Sequence, residues 1–398
     1  MNKLTVEEMD IKGKRVLMRV DFNVPLEDGK VANDKRIRAA LPTIKHIVEK
    51  GGRLILMSHL GRPKGEKKPE MSLRPCVQVL SDLLGKDVKF VDDCIGETAE
   101  AGVEKLGDGE VLLLENLRYY KEETENDNDF AAKLAGLGDV YVNDAFGTAH
   151  RAHASTEGVT HHIDQCAAGY LLMKEIEYIG DLIEDPERPF VAILGGAKIS
   201  SKIGVISNLL PKVDKIIIGG GMAYTFFKAR GMEIGNSLLE EDKISLAKEL
   251  LEKGGDKIVL PVDCMITDVL DFDARKVGAL KEVAADAISA GWMGVDIGTN
   301  SIEQFGSILK DAKTIVWNGP MGVFEVEATA KGTFAIANVL AEATLNGAAT
   351  VIGGGDSASA VVKAGVEDKV SHVSTGGGAS LEFLEGKVLP GVAALTDK

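Results

Sequence analysis

Short, mainly apolar segments recur along this chain, and each is followed by a polar or glycine-rich loop and then by a segment with helical periodicity. In the first half the apolar segments are residues 16–22, 53–57 and 111–114, and residues 36–49 carry a helical pattern between the first two. Strands that are apolar throughout are typical of parallel sheets, because helices cover both faces of such a sheet. The pattern predicts an α/β fold built from doubly wound, Rossmann-like parallel sheets.

The chain length indicates two such domains. Its 398 residues exceed what one hydrophobic core usually contains, and they divide into two domains of about 200 residues each. Residues 167–184 have apolar side chains at helical spacing, and Asp185 and Pro186 end that pattern. We therefore expect a first domain over residues 1–170, a hinge helix over 171–185 and a second domain over 186–387.

The charge balance and the cysteines restrict the class of protein. With 61 acidic and 46 basic residues the formal net charge is −15, which argues against a general binder of nucleic acids or anionic membranes. The four cysteines are far apart and form no CxxC motif, as is typical of reduced thiols in a cytoplasmic protein. The N-terminal residues lack the apolar run of a signal peptide, and no uncharged apolar segment is long enough to span a bilayer.

Polar side chains in the first half lie at or just beyond the predicted strand ends. They are Asp21, Asn23, His59, Arg62, Arg118 and Asp144. Arg151 follows in the last of these loops, and Arg36 opens the first helical segment. Ligands of open parallel sheets bind outside the carboxyl ends of the strands, and guanidinium groups bind phosphate and carboxylate. A single arginine is more often a solvated surface residue, but this group predicts a pocket for a small phosphorylated acid.

A glycine loop in the second half predicts a phosphate site. Residues 350–360 read TVIGGGDSASA, a short apolar strand followed by three glycines and a helix that opens at Asp356. Glycines allow a close backbone approach, and the helix N-terminus favours an anion. A carboxylate beside phosphates is repulsive unless a cation lies between them, so Asp356 indicates a nucleotide carrying Mg²⁺. The alternative is a glycine-rich turn whose aspartate only caps a helix.

A second glycine loop carries two lysines. The segment GGAKISSK, residues 195–202, follows an apolar strand and does not match the Walker A pattern. Lys198 and Lys202 are four residues apart, so we expect both on one face of the first helical turn, in reach of a phosphate chain. A solvated lysine pair is the alternative, and the preceding strand and glycines weaken it.

Eight motifs together resemble one family, phosphoglycerate kinase. In order, they are VDFNVP (20–25), SHLGRP (58–63), ENLR (115–118), GTAHRAHAS (147–155), GGAKISSK (195–202), WNGPMGVFE (317–325), GGGDSASA (353–360) and STGGGASLE (374–382). The resemblance covers essentially the whole chain. It implies two α/β lobes around a hinged cleft, with 3-phosphoglycerate on the first and Mg-ATP or Mg-ADP on the second. It also implies a monomer whose C-terminal tail, residues 388–398, packs back on the first lobe.

The resemblance also assigns roles to individual residues. For the glycerate end of the acid these are Asp21, Asn23 and Arg36, and for its 3-phosphate His59, Arg62, Arg118 and Arg151. The nucleotide is assigned to Lys198, Lys202, Gly219, Gly220, Gly294, Asn318, Glu325, Gly354, Gly355, Asp356 and Ser357, with Asp356 as the metal ligand. The residues expected at the transferred group, and so catalytic, are Arg36, Lys202, Gly376 and Gly377.

The implied reaction is the ATP-generating step of glycolysis, ADP + 1,3-bisphosphoglycerate ⇌ ATP + 3-phosphoglycerate. Its nucleophile in the reverse direction is a carboxylate, which is already ionised at neutral pH because such groups have a pKa of about 4. No general base is required, so catalysis reduces to positioning and charge neutralisation. Domain closure would bring the two substrates together and exclude water.

Two other interpretations compete with this one. An NAD-dependent dehydrogenase is the first, because residues 353–358 match G-x-G-x-x-A, but no acidic residue ends a strand about 20 residues later, as the ribose contact requires. A two-lobed binding protein for phosphate esters is the second, and it would bind substrate without ATP-dependent turnover.

Overall fold

A computed structural model describes residues 2–398, apart from the side chain of Asp181. The chain forms two compact units. One runs up to Glu177 and also includes Val388–Lys398, and the other is Tyr178–Lys387. Within residues 2–398 the structure contains no helix with the length and apolar character needed to cross a membrane.

The first unit is built on a six-stranded parallel sheet. Its strands are β1 (Arg15–Arg19), β2 (Arg53–Met57), β3 (Val88–Phe90), β4 (Val111–Leu113), β5 (Val140–Asn143) and β6 (Cys166–Ala168), in the order β3-β4-β2-β1-β5-β6. The main helices are Lys35–Glu49, Arg74–Leu84, Gly96–Glu104, Asn128–Ala135 and Tyr170–Ile176, with a single turn at Glu122–Glu125. Alternate strand residues such as Leu56 and Leu113 pack with Ile44 on one face, and Leu112 approaches Gly102 on the other.

The second unit contains a second six-stranded parallel sheet. Its strands are β7 (Phe190–Leu194), β8 (Lys215–Ile218), β9 (Ile258–Val259), β10 (Thr314–Asn318), β11 (Ala349–Gly353) and β12 (His372–Val373), in the order β9-β8-β7-β10-β11-β12. Its helices are Ile203–Leu209, Met222–Ala229, Ile244–Gly254, Thr299–Asp311, Lys331–Leu345, Gly355–Lys363 and Gly377–Leu384. The strand order reverses between β7 and β10, which is where ligands bind in doubly wound folds. The predicted fold class, two doubly wound parallel sheets, is confirmed.

A smaller sheet in the second unit was not predicted. Asp263–Thr267 pairs in antiparallel fashion with Leu280–Ala284 on one side and with Met293–Ile297 on the other. Residues 291–298 read as a turn-rich segment because of their glycines, but most of them form this third strand. Strand pairing has therefore overridden the low strand propensity of glycine.

The segment after the first sheet is more divided than the single helix predicted over residues 167–184. Cys166–Ala168 is an edge strand that pairs with β5, and the helix begins only at Tyr170. After Ile176 the backbone takes a π-helical turn, Glu177–Asp181, before a last turn at Leu182–Glu184. The two compact units divide within this π-helical turn.

The C-terminal residues are part of the first unit. A short helix, Pro390–Ala393, is fixed by Asn143, whose Nδ2 donates to the Gly391 carbonyl at 2.9 Å. Lys3 Nζ donates to the carbonyls of Ala393 and Leu395 at 2.8 and 2.7 Å. The tail thus contacts both a strand end and the N-terminal segment.

Candidate active site

The loops after β1 and β2 are joined by polar side chains. Arg36 Nη1 donates to Asp21 Oδ2 at 2.8 Å, and Asn23 Oδ1 accepts from the Gly61 N–H at 2.9 Å. Arg118 Nη1 donates to the Gly61 carbonyl at 2.9 Å. The structure therefore brings the predicted ligand residues of three strand ends into one connected network.

A cavity of about 500 Å³ opens beside this network. It is lined by Arg62, Lys64, Gly65, Arg118, Tyr120, Lys121, Thr124 and Arg151, which include five cationic residues and no carboxylate. Three of the four residues predicted for the 3-phosphate therefore lie on one cavity wall, whereas His59 is not part of the lining. A partly enclosed site with this charge favours a multivalent anion.

Arg118 is the most enclosed cation of this cavity. Its side chain is buried, and its Nε has no hydrogen-bond partner among the described residues. Burial and the neighbouring Arg19 lower the pKa of Arg118 to about 10, so the group stays protonated at neutral pH. A desolvated cation with an unused N–H is suited to donate a charge-assisted hydrogen bond to a bound anion.

His59 is buried and neutral. Its Nδ1 lies 3.1 Å from Nη2 of Arg19, which is itself fully buried. Burial and the positive charges of Arg19 and Arg118 hold the pKa of His59 well below its usual value. A contact between His59 and an anion would thus be made by N–H donation and not by a net positive charge.

Asp144 does not belong to the ligand crevice in which the sequence placed it. It is fully buried, and its Oδ1 accepts from the N–H groups of Leu171 and Leu172 at 2.8 and 3.2 Å. It therefore caps the helix that begins at Tyr170. Burial raises the pKa of Asp144 to about 7.

Several residues of the site were missed. They are Arg19, Lys64, Lys121, Glu123 and His153. Arg19 had a readable signal, because it is the one charged residue inside the apolar stretch of residues 16–20. Lys64 and Lys121 are exposed and lie in loops next to predicted motifs, so only the folded cavity distinguishes them from other surface lysines.

In the second unit, two helix N-termini lie side by side at the carboxyl ends of β11 and β12. Gly354 has a φ of +90° and turns the chain into the helix Gly355–Lys363. A Cβ on Gly377, the first residue of the next helix, would lie only 3.3 Å from the Gly355 nitrogen. The first turns of both helices are therefore close together, and the N-terminal end of a helix favours an anion.

Lys202 is held close to these helices. It is buried, and its Nζ donates to Oδ1 of Asn318 at the end of β10. Burial lowers the pKa of Lys202, and the carboxylates of Asp356 and Glu385 oppose that shift. The Nδ2 of Asn318 has no partner among the described residues, so this pair offers a cation and a donor to a ligand.

The predicted pairing of Lys198 and Lys202 on one helical turn is wrong. A 3₁₀ turn, Ile199–Ser201, separates them, and the α-helix begins at Ile203. Lys198 is exposed on extended backbone, whereas Lys202 is the buried N-cap residue. The two lysines therefore occupy different environments.

The glycines after β7 and β8 are required by loop packing. Gly220 has a φ of +67°, and a Cβ there would lie 2.6 Å from the Gly196 nitrogen. A Cβ on Gly219 would lie 2.5 Å from Sδ of Met321. These loops stack tightly on the loop after β10, which keeps their backbone close to the strand ends where the sequence predicts the nucleotide.

Ser357 and Glu325 differ in the burial of their side chains. The Ser357 hydroxyl is buried, and its oxygen accepts from the Gly319 N–H at 2.6 Å. Glu325 is half-buried and follows β10 in the loop predicted to hold the ribose.

Gly294 lies directly over a buried tyrosine. Its N–H donates to Ser237 Oγ at 2.9 Å, and a Cβ would lie 1.8 Å from Oη of Tyr224. We expect Gly294→Ala to lower the free energy of unfolding of the second unit by about 1–3 kcal/mol, because the added methyl overpacks this contact. Thermal unfolding would measure the loss. Gly306→Ala is the control, since its Cβ would meet only Val339 at 3.7 Å, and an unchanged melting temperature in Gly294→Ala would contradict the packing.

Comparison with known proteins identifies the family of this chain. A family model described as phosphoglycerate kinase matches residues 6–387. The chain is 58% identical to the phosphoglycerate kinase of Chloroherpeton thalassium over 400 aligned residues, covering 100% of both. It is 57% identical to that of Levilactobacillus brevis over 407 aligned residues, again covering 100% of both.

Solved structures give the same result. A structure of phosphoglycerate kinase from Coxiella burnetii matches with a TM-score of 0.89 at 41% identity, and one from Pyrococcus horikoshii matches with a TM-score of 0.83 at 33% identity. Each comparison covers 98% of this chain and 98% of the other. The family predicted from the eight motifs is thus confirmed over the full length, and this chain belongs to the phosphoglycerate kinase family.

Proposed function

We propose that this chain transfers a phosphoryl group between ATP and the C1 carboxylate of 3-phospho-D-glycerate, with the acid bound by the first unit and the nucleotide by the second. The observation that carries this division is the contrast between the two half-sites. The first unit offers a cavity with five cationic side chains and no carboxylate, which suits a small acid with two anionic groups. The second offers paired helix N-termini behind glycine loops, which suit a phosphate chain.

Within the first unit, Arg36, Asp21 and Asn23 would contact the glycerate end, and the cavity cations would hold the 3-phosphate. The Asp21 carboxylate keeps the Arg36 guanidinium in a fixed direction through a 2.8 Å hydrogen bond. Two like unit charges repel by about 4 kcal/mol at 4 Å near a protein surface. Neutralising that repulsion is therefore the main task of the site, and no residue has to remove a proton from the attacking carboxylate.

Within the second unit, Lys202, Gly376 and Gly377 would face the transferred group, although the Gly376 N–H itself donates to Ser374 Oγ at 3.2 Å. Lys202 is suited to this because its ammonium is desolvated and fixed on Asn318, so little reorganisation is needed. Lys198, Gly219, Gly220, Gly294 and Glu325 would complete the nucleotide site.

The residues present fit a magnesium ion that arrives with the nucleotide. Asp356 is an exposed carboxylate in the first turn of Gly355–Lys363, beside the predicted phosphate site. Mg²⁺ is usually held by one or two carboxylates together with substrate phosphates and water. When bound, the ion would neutralise phosphate charge. Asp356 would hold and orient it.

We further propose that the enzyme acts as a monomer in a reducing, cytoplasmic environment. All four cysteines are buried free thiols. Its substrates are small molecules, and neither nucleic acid nor a membrane is needed as a partner.

One assay tests the proposed reaction against both competing interpretations. Purified protein is mixed with ATP, Mg²⁺ and 3-phosphoglycerate, and ADP and the acyl phosphate are measured. Formation of both products in equal amounts is expected. Binding of the acid without ADP formation would instead indicate a binding protein, and reduction of NAD with a hydroxy acid would indicate a dehydrogenase.

Because each substrate has its own unit, transfer requires the units to approach each other. We expect small-angle scattering to give a smaller radius of gyration with both substrates bound than with either alone. ADP with 3-phosphoglycerate serves as a non-reacting pair for this measurement. A radius of gyration that is the same in the free protein, with either substrate alone and with both substrates would contradict closure.

A further inference from the structure

Glu123 is a fully buried carboxylate beside the basic cavity that does not line it. It lies on the short turn Glu122–Glu125. Its Oε1 accepts from the Ser155 hydroxyl at 2.6 Å, and its Oε2 accepts from the Ser155 N–H at 3.0 Å. A buried carboxylate is costly unless a cation and hydrogen bonds compensate it, so its partners indicate what it is there to hold.

Ser155 connects Glu123 to a buried arginine. Because the hydroxyl donates its only proton to Glu123, its oxygen is left as an acceptor, and Arg19 Nε donates to it at 2.8 Å. Arg19 is fully buried, and its Nη1 also donates to the Val20 carbonyl. The guanidinium is therefore fixed in its plane by partners at both ends.

Arg19 in turn determines the state of His59. The Arg19 Nη2 lies 3.1 Å from Nδ1 of His59, and a guanidinium can only donate. Nδ1 must therefore be the acceptor, which places the proton of the neutral ring on Nε2. His59 is thereby prepared to donate one hydrogen bond from Nε2.

The other titratable groups near the cavity leave Glu123 as the carboxylate that balances Arg19. Asp21 is already paired with Arg36 at 2.8 Å. His153 approaches Glu123 Oε1 at 3.9 Å, but burial and the positive charges of Arg118 and Arg19 lower its pKa to about 3, so it is neutral. Glu123 therefore balances the charge of Arg19, and the cations that line the cavity are left for the ligand.

We propose that Glu123 is a positioning residue for the substrate anion site, because it fixes Arg19 through Ser155 and Arg19 fixes His59 as the tautomer that donates from Nε2. This inference rests on the proposed function, since it assumes that His59 meets the acid substrate.

The test is the variant Glu123→Gln. The amide keeps the shape of the side chain, but it removes the negative charge that balances Arg19 and places an NH₂ group against one of the two Ser155 donors, so the hold on Arg19 is weakened. We expect the KM for 3-phosphoglycerate to rise at least about tenfold, with the KM for ATP unchanged within about twofold. Glu125→Gln is the matched control, because Glu125 is exposed on the same turn.

A second readout does not depend on turnover. Nitrogen NMR of the histidine rings should show His59 as a single Nε2–H tautomer in the parent protein, with the signal assigned by His59→Gln. Glu123→Gln should convert it to a mixture of tautomers, and Ser155→Ala should do the same. The tautomer can be measured even if the parent protein does not turn over 3-phosphoglycerate. Absence of turnover in the parent protein would refute the proposed function, but it would leave the effect of Glu123 on His59 open to this test.

An unchanged tautomer together with an unchanged KM in folded Glu123→Gln would overturn the proposal. An equal rise of both KM values would also overturn it, because the effect would not be confined to the anion site. If circular dichroism shows that Glu123→Gln does not fold, the NMR measurement on Ser155→Ala is the test. A single, unaltered His59 tautomer in that variant would refute the positioning role of Glu123.

Discussion

Arg36→Ala should lower kcat about a thousandfold while leaving the KM for ATP within about twofold, because a well-placed guanidinium contributes 10³–10⁵ in rate to phosphoryl transfer. The side chain is in place for this role, since Asp21 holds its Nη1 at 2.8 Å. The proposed nucleotide site lies in the other unit, so the affinity for ATP should be largely independent of Arg36. Steady-state kinetics with each substrate varied in turn would separate the two parameters.

The control for this variant is Arg38→Ala. Arg38 lies on the same helix, Lys35–Glu49, but it is exposed and pairs only with Asp34. We expect it to retain near-normal kcat and both KM values. Near-normal turnover in Arg36→Ala would show that other groups neutralise the charge of the transferred phosphoryl group.

Lys202→Met should lower kcat about a hundredfold or more. This is the usual effect of removing one preorganised hydrogen-bond donor that stabilises a developing negative charge. The substitution keeps an unbranched side chain, one atom shorter, and leaves Asn318 Oδ1 without its ammonium partner. Methionine is apolar and suits the buried site, so folding should be retained, and circular dichroism would check this. Phosphoryl transfer measured in a single turnover would isolate the chemical step from product release.

Lys248→Met is the comparison for Lys202, because Lys248 is exposed on the helix Ile244–Gly254. It should behave like the parent protein. Loss of ATP affinity without loss of single-turnover rate in Lys202→Met would mean that Lys202 only binds the nucleotide in its ground state.

The fold class could be predicted because apolar continuity and glycine loops are local signals. In the strand Arg53–Met57 every residue after Arg53 is apolar and buried, which is typical of a parallel sheet with helices on both faces. The motif residues Arg62, Arg118 and Arg151 could be grouped for the same reason, since parallel strands direct their carboxyl ends to one edge.

Other features depended on distant contacts and were not predicted. Asp144 reads as a ligand residue because it ends a strand, and only the folded chain shows that its carboxylate caps the helix after Gly169. The spacing of Lys198 and Lys202 suggests one helical turn, but the 3₁₀ turn between them is set by tertiary packing. Glu123 is one of several acidic residues in a row, and nothing local distinguishes the buried one from its exposed neighbours.

The attachment of Val388–Lys398 to the first unit has a consequence for how this polypeptide acquires its structure. A ribosome releases those residues only after it has translated all of Tyr178–Lys387. The carboxyl end of β5, at Asn143, therefore lacks its Gly391 contact throughout elongation. The N-terminal half should therefore emerge first yet reach its full resistance to proteolysis last, once the terminal helix has docked.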